Sequence, residues 1–143
     1  MSFQILIVDD ELEIREMLTR HFRLLGYQVA TAENGEEALA FLGEHKVDVV
    51  ISDIRMPVMD GVALLKRIRN EYPMIRVVMI TGYVTLENAL ACMRYQADTC
   101  IFKPLEDLSE LEKAVENGVQ MIETWKRKFR ELRGMKTSSK ETE

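Results

Sequence analysis

An α/β domain built on a doubly wound, five-stranded parallel sheet is the architecture this sequence predicts, and three observations carry that expectation. Short apolar runs without polar alternation, such as those inside Val47–Asp53 and Ile75–Ile80, read as strands buried on both faces. Between them lie segments whose apolar residues recur three and four apart, the period of a helix covering a core. The two patterns alternate, and strands joined by right-handed helical crossovers assemble into a parallel sheet with helices on both faces.

Gln4–Val8 is the first expected strand, followed at once by Asp9, Asp10 and Glu11. Glu11–Leu25 places Ile14, Leu18, Phe22 and Leu25 on one helical stripe, with Gly26 as its stop. His21 lies in this helix without a clustered His or Cys, so it reads as structural or solvated rather than as a metal ligand. Tyr27–Thr31 is the second strand; Asn34 then caps a helix through Ala38, Leu39 and Leu42 that ends near Gly43, with His45 in the loop beyond. The third strand ends at Asp53. Val62–Arg69 is the next helix, with Leu64, Leu65 and Ile68 facing inward, and Tyr72-Pro73 breaks it. Ile75–Ile80 is the fourth strand, ending in Thr81-Gly82-Tyr83; Thr85 caps a helix carrying Leu86, Leu90 and Met93; Thr99–Phe102 is the fifth strand, ending in Lys103-Pro104.

The last helix is expected from Asp107 to Arg133, where Leu108, Leu111, Val115, Gly118, Ile122, Trp125, Phe129 and Leu132 form a heptad-like seam. Its first turns cover the sheet. Ile122, Trp125, Phe129 and Leu132 extend past what the body requires, which points to self-association into a homodimer, with folding back onto the same domain as the alternative. Gly118 weakens a coiled coil locally. The basic cluster Lys126, Arg127, Lys128, Arg130 and Arg133 reads as a solvated helix face, and no residues remain to build a recognition module, so direct DNA binding is not expected. From Gly134 the polar sequence GMKTSSKETE reads as a frayed tail.

With 143 residues, 47% of them hydrophobic and 30% charged, the chain suits one soluble domain, and its net charge of −5 gives no general attraction to nucleic acid. The two cysteines, Cys92 and Cys100, stand in apolar segments without CxxC or Cys/His spacing, so neither a disulfide framework nor a zinc site is indicated and a reducing cytoplasm is expected. The nine methionines are scattered over core-like positions and read as packing. MSFQILIVDD reads as neither signal peptide nor membrane anchor, since its apolar run stops at two acids.

The five strand ends bring Asp9, Asp10, Asp53, Thr81 and Lys103 to one edge, the carboxyl edge, where ligands collect in open α/β sheets. Three carboxylates together repel one another unless a cation neutralises them. Hard oxygen ligands select Mg2+, Ca2+ or Mn2+ over zinc, and Mg2+ keeps open positions for phosphoryl chemistry. A carboxylate attacks phosphorus to give an aspartyl phosphate where fixed donors and cations match the charge developing on the equatorial oxygens; the metal, Lys103, Thr81 and the amides after Asp53 are those groups.

On these residues the sequence resembles the receiver domains of two-component response regulators. The matching positions are Asp9-Asp10, Asp53 with Met56-Pro57 and Asp60-Gly61, Thr81-Gly82, and Lys103-Pro104, within a stretch of roughly residues 4 to 120. The resemblance implies a flavodoxin-like sheet of order 2-1-3-4-5 with an extended C-terminal helix: receiver domain 1–120, helix extension 121–133, flexible tail 134–143. It implies that Asp53 is the phosphoacceptor for a histidine kinase or phosphotransfer protein docking near Ile14 and Leu18. It further implies that Asp10, Asp53 and the Arg55 backbone carbonyl hold Mg2+, with Asp9 acting mainly through water, that Lys103 pairs with the phosphoryl group, that Thr81 turns towards it, and that the Lys103-Pro104 bond is cis. The expected output surface is the fourth helix, fifth strand and last helix.

Two positions depart from the family pattern. Cys100 stands where many members carry an aromatic switch residue, so signalling is expected to run through the fourth and last helices instead. Tyr83 and Arg55 flank the acceptor, and their bulk and charge are expected to restrict attacking water and lengthen the phosphoryl lifetime. The alternative is a haloacid-dehalogenase-like phosphatase, an enzyme rather than a switch; it needs a second Asp two residues after the nucleophile, where Arg55 stands. A flavin-binding reading lacks a phosphate-cradling loop after the first strand, and Asp9-Asp10 would repel the flavin phosphate.

Overall fold

The computed structural model describes residues 2–83 and 85–142, with side chains described as far as Met135; the final residue of the expected tail, Glu143, lies outside the described residues. Ten elements alternate: β1 (Gln4–Val8), α1 (Leu12–Leu24), β2 (Gln28–Ala32), α2 (Gly35–Glu44), β3 (Val49–Asp53), α3 (Gly61–Glu71), β4 (Arg76–Thr81), α4 (Leu86–Arg94), β5 (Thr99–Phe102) and α5 (Ser109–Thr142). All four strand pairings are parallel and the order is β2-β1-β3-β4-β5, as expected.

Alternation along the strands sorts the core into two layers. Ile5, Ile7, Val49, Ile51, Val78, Ile80 and Ile101 face α1 and α5, packing with Leu18, Phe22, Leu111 and Val115. Leu6, Val8, Val50, Val77 and Met79 face the opposite way, against Ala38, Leu42, Leu64, Leu65, Ile68 and Cys92 of α2, α3 and α4. The absence of polar alternation in the strands is thereby explained, because both faces are buried.

Helix ends follow local chemistry. Asn34 accepts from the Glu37 amide, Asp60 from that of Ala63, and Thr85 from that of Asn88. Gly26 closes α1 with φ of 98°, a conformation that costs glycine little. Strand ends shift by about one residue from the sequence expectation, since they are set by register: β2 runs to Ala32 because Ala32 pairs with Val8, and β4 runs to Thr81 because Thr81 pairs with Phe102.

The last helix differs from expectation at three points. Ile122, expected beyond the body, is 4% exposed and closes a groove with Leu42, Val47 and Ile75. Gly118 serves the body rather than a coiled coil, because a Cβ there would lie 3.1 Å from that of Arg76, in the Arg76–Asp98 ion pair packed beneath α5. The backbone also stays helical through Gly134 to Thr142 instead of leaving the helix at Gly134; one glycine costs only about 1 kcal/mol there, and no proline intervenes. Beyond Ile122 the seam residues Trp125, Phe129 and Leu132 are 48%, 47% and 48% exposed. Among the described residues, no helix is long and apolar enough to cross a membrane.

Candidate functional site

Four neighbouring parallel strands, β1, β3, β4 and β5, assemble the site at their carboxyl ends. β1 delivers Asp9 and Asp10, its neighbour β3 ends on Asp53, and β5, one strand further out beyond β4, leads into Lys103. The Lys103 amide donates to the Thr81 carbonyl at 2.8 Å, extending the β4–β5 pairing by one residue and directing the lysine back over the edge. The Lys103-Pro104 peptide bond is cis.

Asp9 is fully buried. One of its oxygens accepts from the Glu11 amide at 2.9 Å, and the other from the Lys103 ammonium at 3.0 Å. Asp53, 5% exposed, accepts from the Ile54 amide at 2.7 Å through Oδ1 and from Lys103 at 3.0 Å through Oδ2. Asp10 is exposed at the rim. Asp9, Asp10 and Asp53 each present an oxygen, all within 4.8 Å of one another.

Electrostatics set the character of this cluster. Burial pushes the Asp9 carboxyl above its ordinary range, against the pull of the Glu11 amide and Lys103, and the Asp53 charge adds to the rise. Burial also opposes the Lys103 charge, but its hydrogen bonds to Asp53 and Asp9 outweigh that and hold the ammonium protonated above the ordinary lysine range. A trio of hard oxygens, two on buried acids, with one ammonium shared between them, fits a hard divalent cation.

Gly61 fixes the loop that follows Asp53. Its amide donates to the Ile54 carbonyl at 2.7 Å, and a Cβ there would lie 2.0 Å from the Asp53 carbonyl oxygen. The start of α3 is therefore pressed against the end of β3, as only glycine permits.

Thr81 is 1% exposed, and its hydroxyl is held by the adjacent loop: it accepts from the Tyr83 amide at 2.9 Å and donates to the Tyr83 carbonyl at 3.3 Å. The Asn88 side chain donates to that same carbonyl at 3.2 Å, tying the first turn of α4 to the loop. Arg55 lies over the Tyr83 ring at 4.3 Å, and both line the open cleft of about 510 Å³ above Asp53. Cys100 lies away from the cleft, packed against the α2/α3/α4 layer.

Sequence reasoning brought the five strand-end residues to one edge but missed Glu11, whose carboxylate reaches Lys103 at 3.4 Å. Its place as the third acid after β1 was the available signal. The Arg55–Tyr83 stack was also missed, since nothing in either residue's local sequence joins them.

Over residues 5–116 the chain matches the sequence profile of the family described as "Response regulator receiver domain". It belongs to the response regulator receiver domains. The regulatory protein AtoC of Escherichia coli K12 is 39% identical over 129 residues, covering 90% of this chain and 28% of that protein. The DNA-binding transcriptional regulator NtrC of Salmonella typhimurium is 40% identical over 113 residues, 79% of this chain and 24% of that regulator. Each of these relatives is thus much longer than the receiver domain they share. Among solved structures, a CheY-like receiver domain protein from Methanospirillum hungatei superposes with a TM-score of 0.83 at 29% identity, covering 87% of this chain and 98% of that one. The response regulator TrrA from Thermotoga maritima, solved in complex with Mg(2+)-BeF, gives 0.74 at 34% identity over 81% of this chain and 98% of that one.

Proposed function

We propose that this receiver domain is a phosphorylation-dependent switch in which Asp53 takes a phosphoryl group from the phosphohistidine of a histidine kinase or phosphotransfer protein. The observation that carries the reading is the shared ammonium: Lys103 lies 3.0 Å from an oxygen of Asp53 and 3.0 Å from one of Asp9, at the carboxyl edge of the sheet. An Asp53 oxygen attacks phosphorus, the bond from phosphorus to the histidine nitrogen breaks, and the imidazole leaves as a neutral base after taking up a proton.

Asp10, Asp53 and the Arg55 carbonyl would hold Mg2+, with Asp9 nearby and acting mainly through water; bound there, the ion neutralises charge on the transferring group. Lys103 supplies a fixed positive charge beside Asp53. Thr81 supplies a hydroxyl donor once it leaves the Tyr83 backbone, and because Asn88 shares the Tyr83 carbonyl, that exchange is felt at the start of α4. Turnover of a phosphate ester is not supported, since an acid/base two residues after the acceptor is replaced by Arg55, whose guanidinium lies over the Tyr83 ring.

The half-exposed Trp125, Phe129 and Leu132 on α5 support a homodimer through that helix, in a protein of the cytoplasm that does not itself contact DNA through this domain.

Intact mass after incubation with a small phosphodonor, with and without Mg2+, tests the switch. One phosphoryl adduct is expected on the native chain with Mg2+, and none on Asp53→Ala. An adduct that persists in Asp53→Ala would overturn the assignment.

A further inference from the structure

The three acids at the sheet edge are not held alike. Asp9 accepts from the Glu11 amide and Lys103, and Asp53 from the Ile54 amide and Lys103. Asp10 is exposed, and among the described residues its carboxylate has no hydrogen-bond or ion-pair partner. It nonetheless presents an oxygen within 4.8 Å of those of Asp9 and Asp53. Its placement therefore comes from the main chain that carries it.

That main chain is fixed on both sides at Asp9. The Asp9 amide donates to the Ala32 carbonyl at 3.1 Å, and the Asp9 carbonyl accepts from Nη1 of Arg15 at 2.7 Å. Because a peptide group is planar, the carbonyl of Asp9 and the amide of Asp10 turn together, so the bond from Arg15 sets the plane from which Asp10 departs. The Arg15 side chain is 11% exposed, and a charge-assisted bond of this length is about twice as strong as a neutral one. Its Nη2 lies 3.6 Å from Glu33, whose side chain is 64% exposed, so that ion pair adds little. Nor does α1 itself call for a cation here, since Arg15 is the fourth residue of the helix, near the end where the dipole favours acids.

We propose that Arg15 is a positioning residue for the divalent-cation site, acting on Asp10 through the peptide that joins it to Asp9. The inference rests on the reading of the acidic edge as an Mg2+ site. Removing the guanidinium has two effects of opposite sign: a positive charge leaves the neighbourhood of the acids, which tightens cation binding, and the peptide before Asp10 is freed, which weakens it. The second prevails, because Arg15 contacts a main-chain carbonyl and Glu33 rather than the acids' own oxygens. Lys103 is the contrasting case, since it contacts the carboxylates of Asp9 and Asp53 directly and its removal acts through charge.

The test is calorimetric titration of Mg2+ into the native chain, Arg15→Ala, Arg15→Lys and Lys103→Ala. Arg15→Ala should bind Mg2+ about tenfold more weakly than the native chain, the scale of losing a group that orients a metal ligand. Arg15→Lys, which keeps a charged donor, should fall between the two, and Lys103→Ala should bind more tightly. Partial unfolding lowers the stoichiometry and leaves the Kd of the folded fraction unchanged, so a merely structural role for Arg15 is read separately; should Arg15→Ala not fold, Arg15→Lys carries the same comparison. Unchanged or tighter binding on loss of Arg15, or a fall in stoichiometry alone, would overturn the proposal and leave the Mg2+ reading standing. A native chain that takes up no Mg2+ would overturn both.

Discussion

The ammonium of Lys103 stands 3.0 Å from an oxygen of Asp53, a contact that crosses two strand pairings, and at the same distance from Asp9. Lys103 is therefore the cation between two buried acids, and its removal has two consequences of opposite sign. Lys103→Ala should slow phosphorylation by a small phosphodonor about 100-fold, the scale of losing one preorganised charge stabiliser. The same variant should bind Mg2+ more tightly by titration calorimetry, because a competing positive charge has gone. Unchanged phosphorylation would remove Lys103 from the reaction.

Gly61 and Gly35 offer a controlled pair for the loop that positions Asp53. A Cβ at Gly61 meets backbone, the Asp53 oxygen at 2.0 Å and the Ile54 Cα at 2.8 Å, whereas one at Gly35 meets the Met59 side chain at 2.8 to 3.0 Å. Gly61→Ala should cost about 3 kcal/mol or more in urea unfolding, and Gly35→Ala clearly less, since a methionine side chain can move and a strand end cannot.

Arg55, stacked over Tyr83, lines the cleft above Asp53, the side from which water would reach a phosphoryl group there. Arg55→Ala should shorten the phosphoryl lifetime by about tenfold, equivalent to about 1.4 kcal/mol of barrier. Decay of the adduct followed by intact mass checks this, and an unchanged half-life would show that the stack does not limit water.

Trp125 and Phe129 lie side by side on α5, ring centroids 6.0 Å apart, each about half exposed. Sedimentation equilibrium should give a dimer for the native chain and a monomer for the double variant Trp125→Ala/Phe129→Ala, with little change in thermal midpoint, because both rings are about half exposed. A native chain that sediments as a monomer at high concentration would remove the seam as an interface.

Tyr27 predicts the alkaline limb of stability. Burial, followed by the charges of Glu116 and Glu112, holds its phenol above the ordinary range. As pH rises past about 10 the unfolded chain loses this proton before the native one does, so the native state binds more protons and stability falls with rising pH. Tyr27→Phe should flatten that fall in urea midpoints measured between neutral and alkaline pH.

How much of this was legible beforehand divides along physical lines. Caps were readable because they are local: Asn34 and Thr85 each satisfy an amide three residues on, and Gly26 takes its positive φ within one turn. Edge chemistry was readable because each strand run ends in the residue that carries it. Glu11 was not recognised as a partner of Lys103, because a contact across 92 residues leaves no periodic trace. Ile122 and Gly118 were read along the seam, but their neighbours come from other elements, the groove beside Leu42 and the Arg76–Asp98 pair.

By itself, then, the sequence determined which residues form strands and helices, which faces they bury, and that Asp9, Asp10, Asp53, Thr81 and Lys103 all stand at strand ends, because hydrophobic period and chain order are local properties. Only the tertiary structure decided that one ammonium bridges Asp53 and Asp9, and that Thr81 is held by Tyr83 while Asn88 shares its carbonyl. Those relations depend on strand register and on how closely helix packs on sheet, and both are fixed by burying the whole core at once rather than by any one segment.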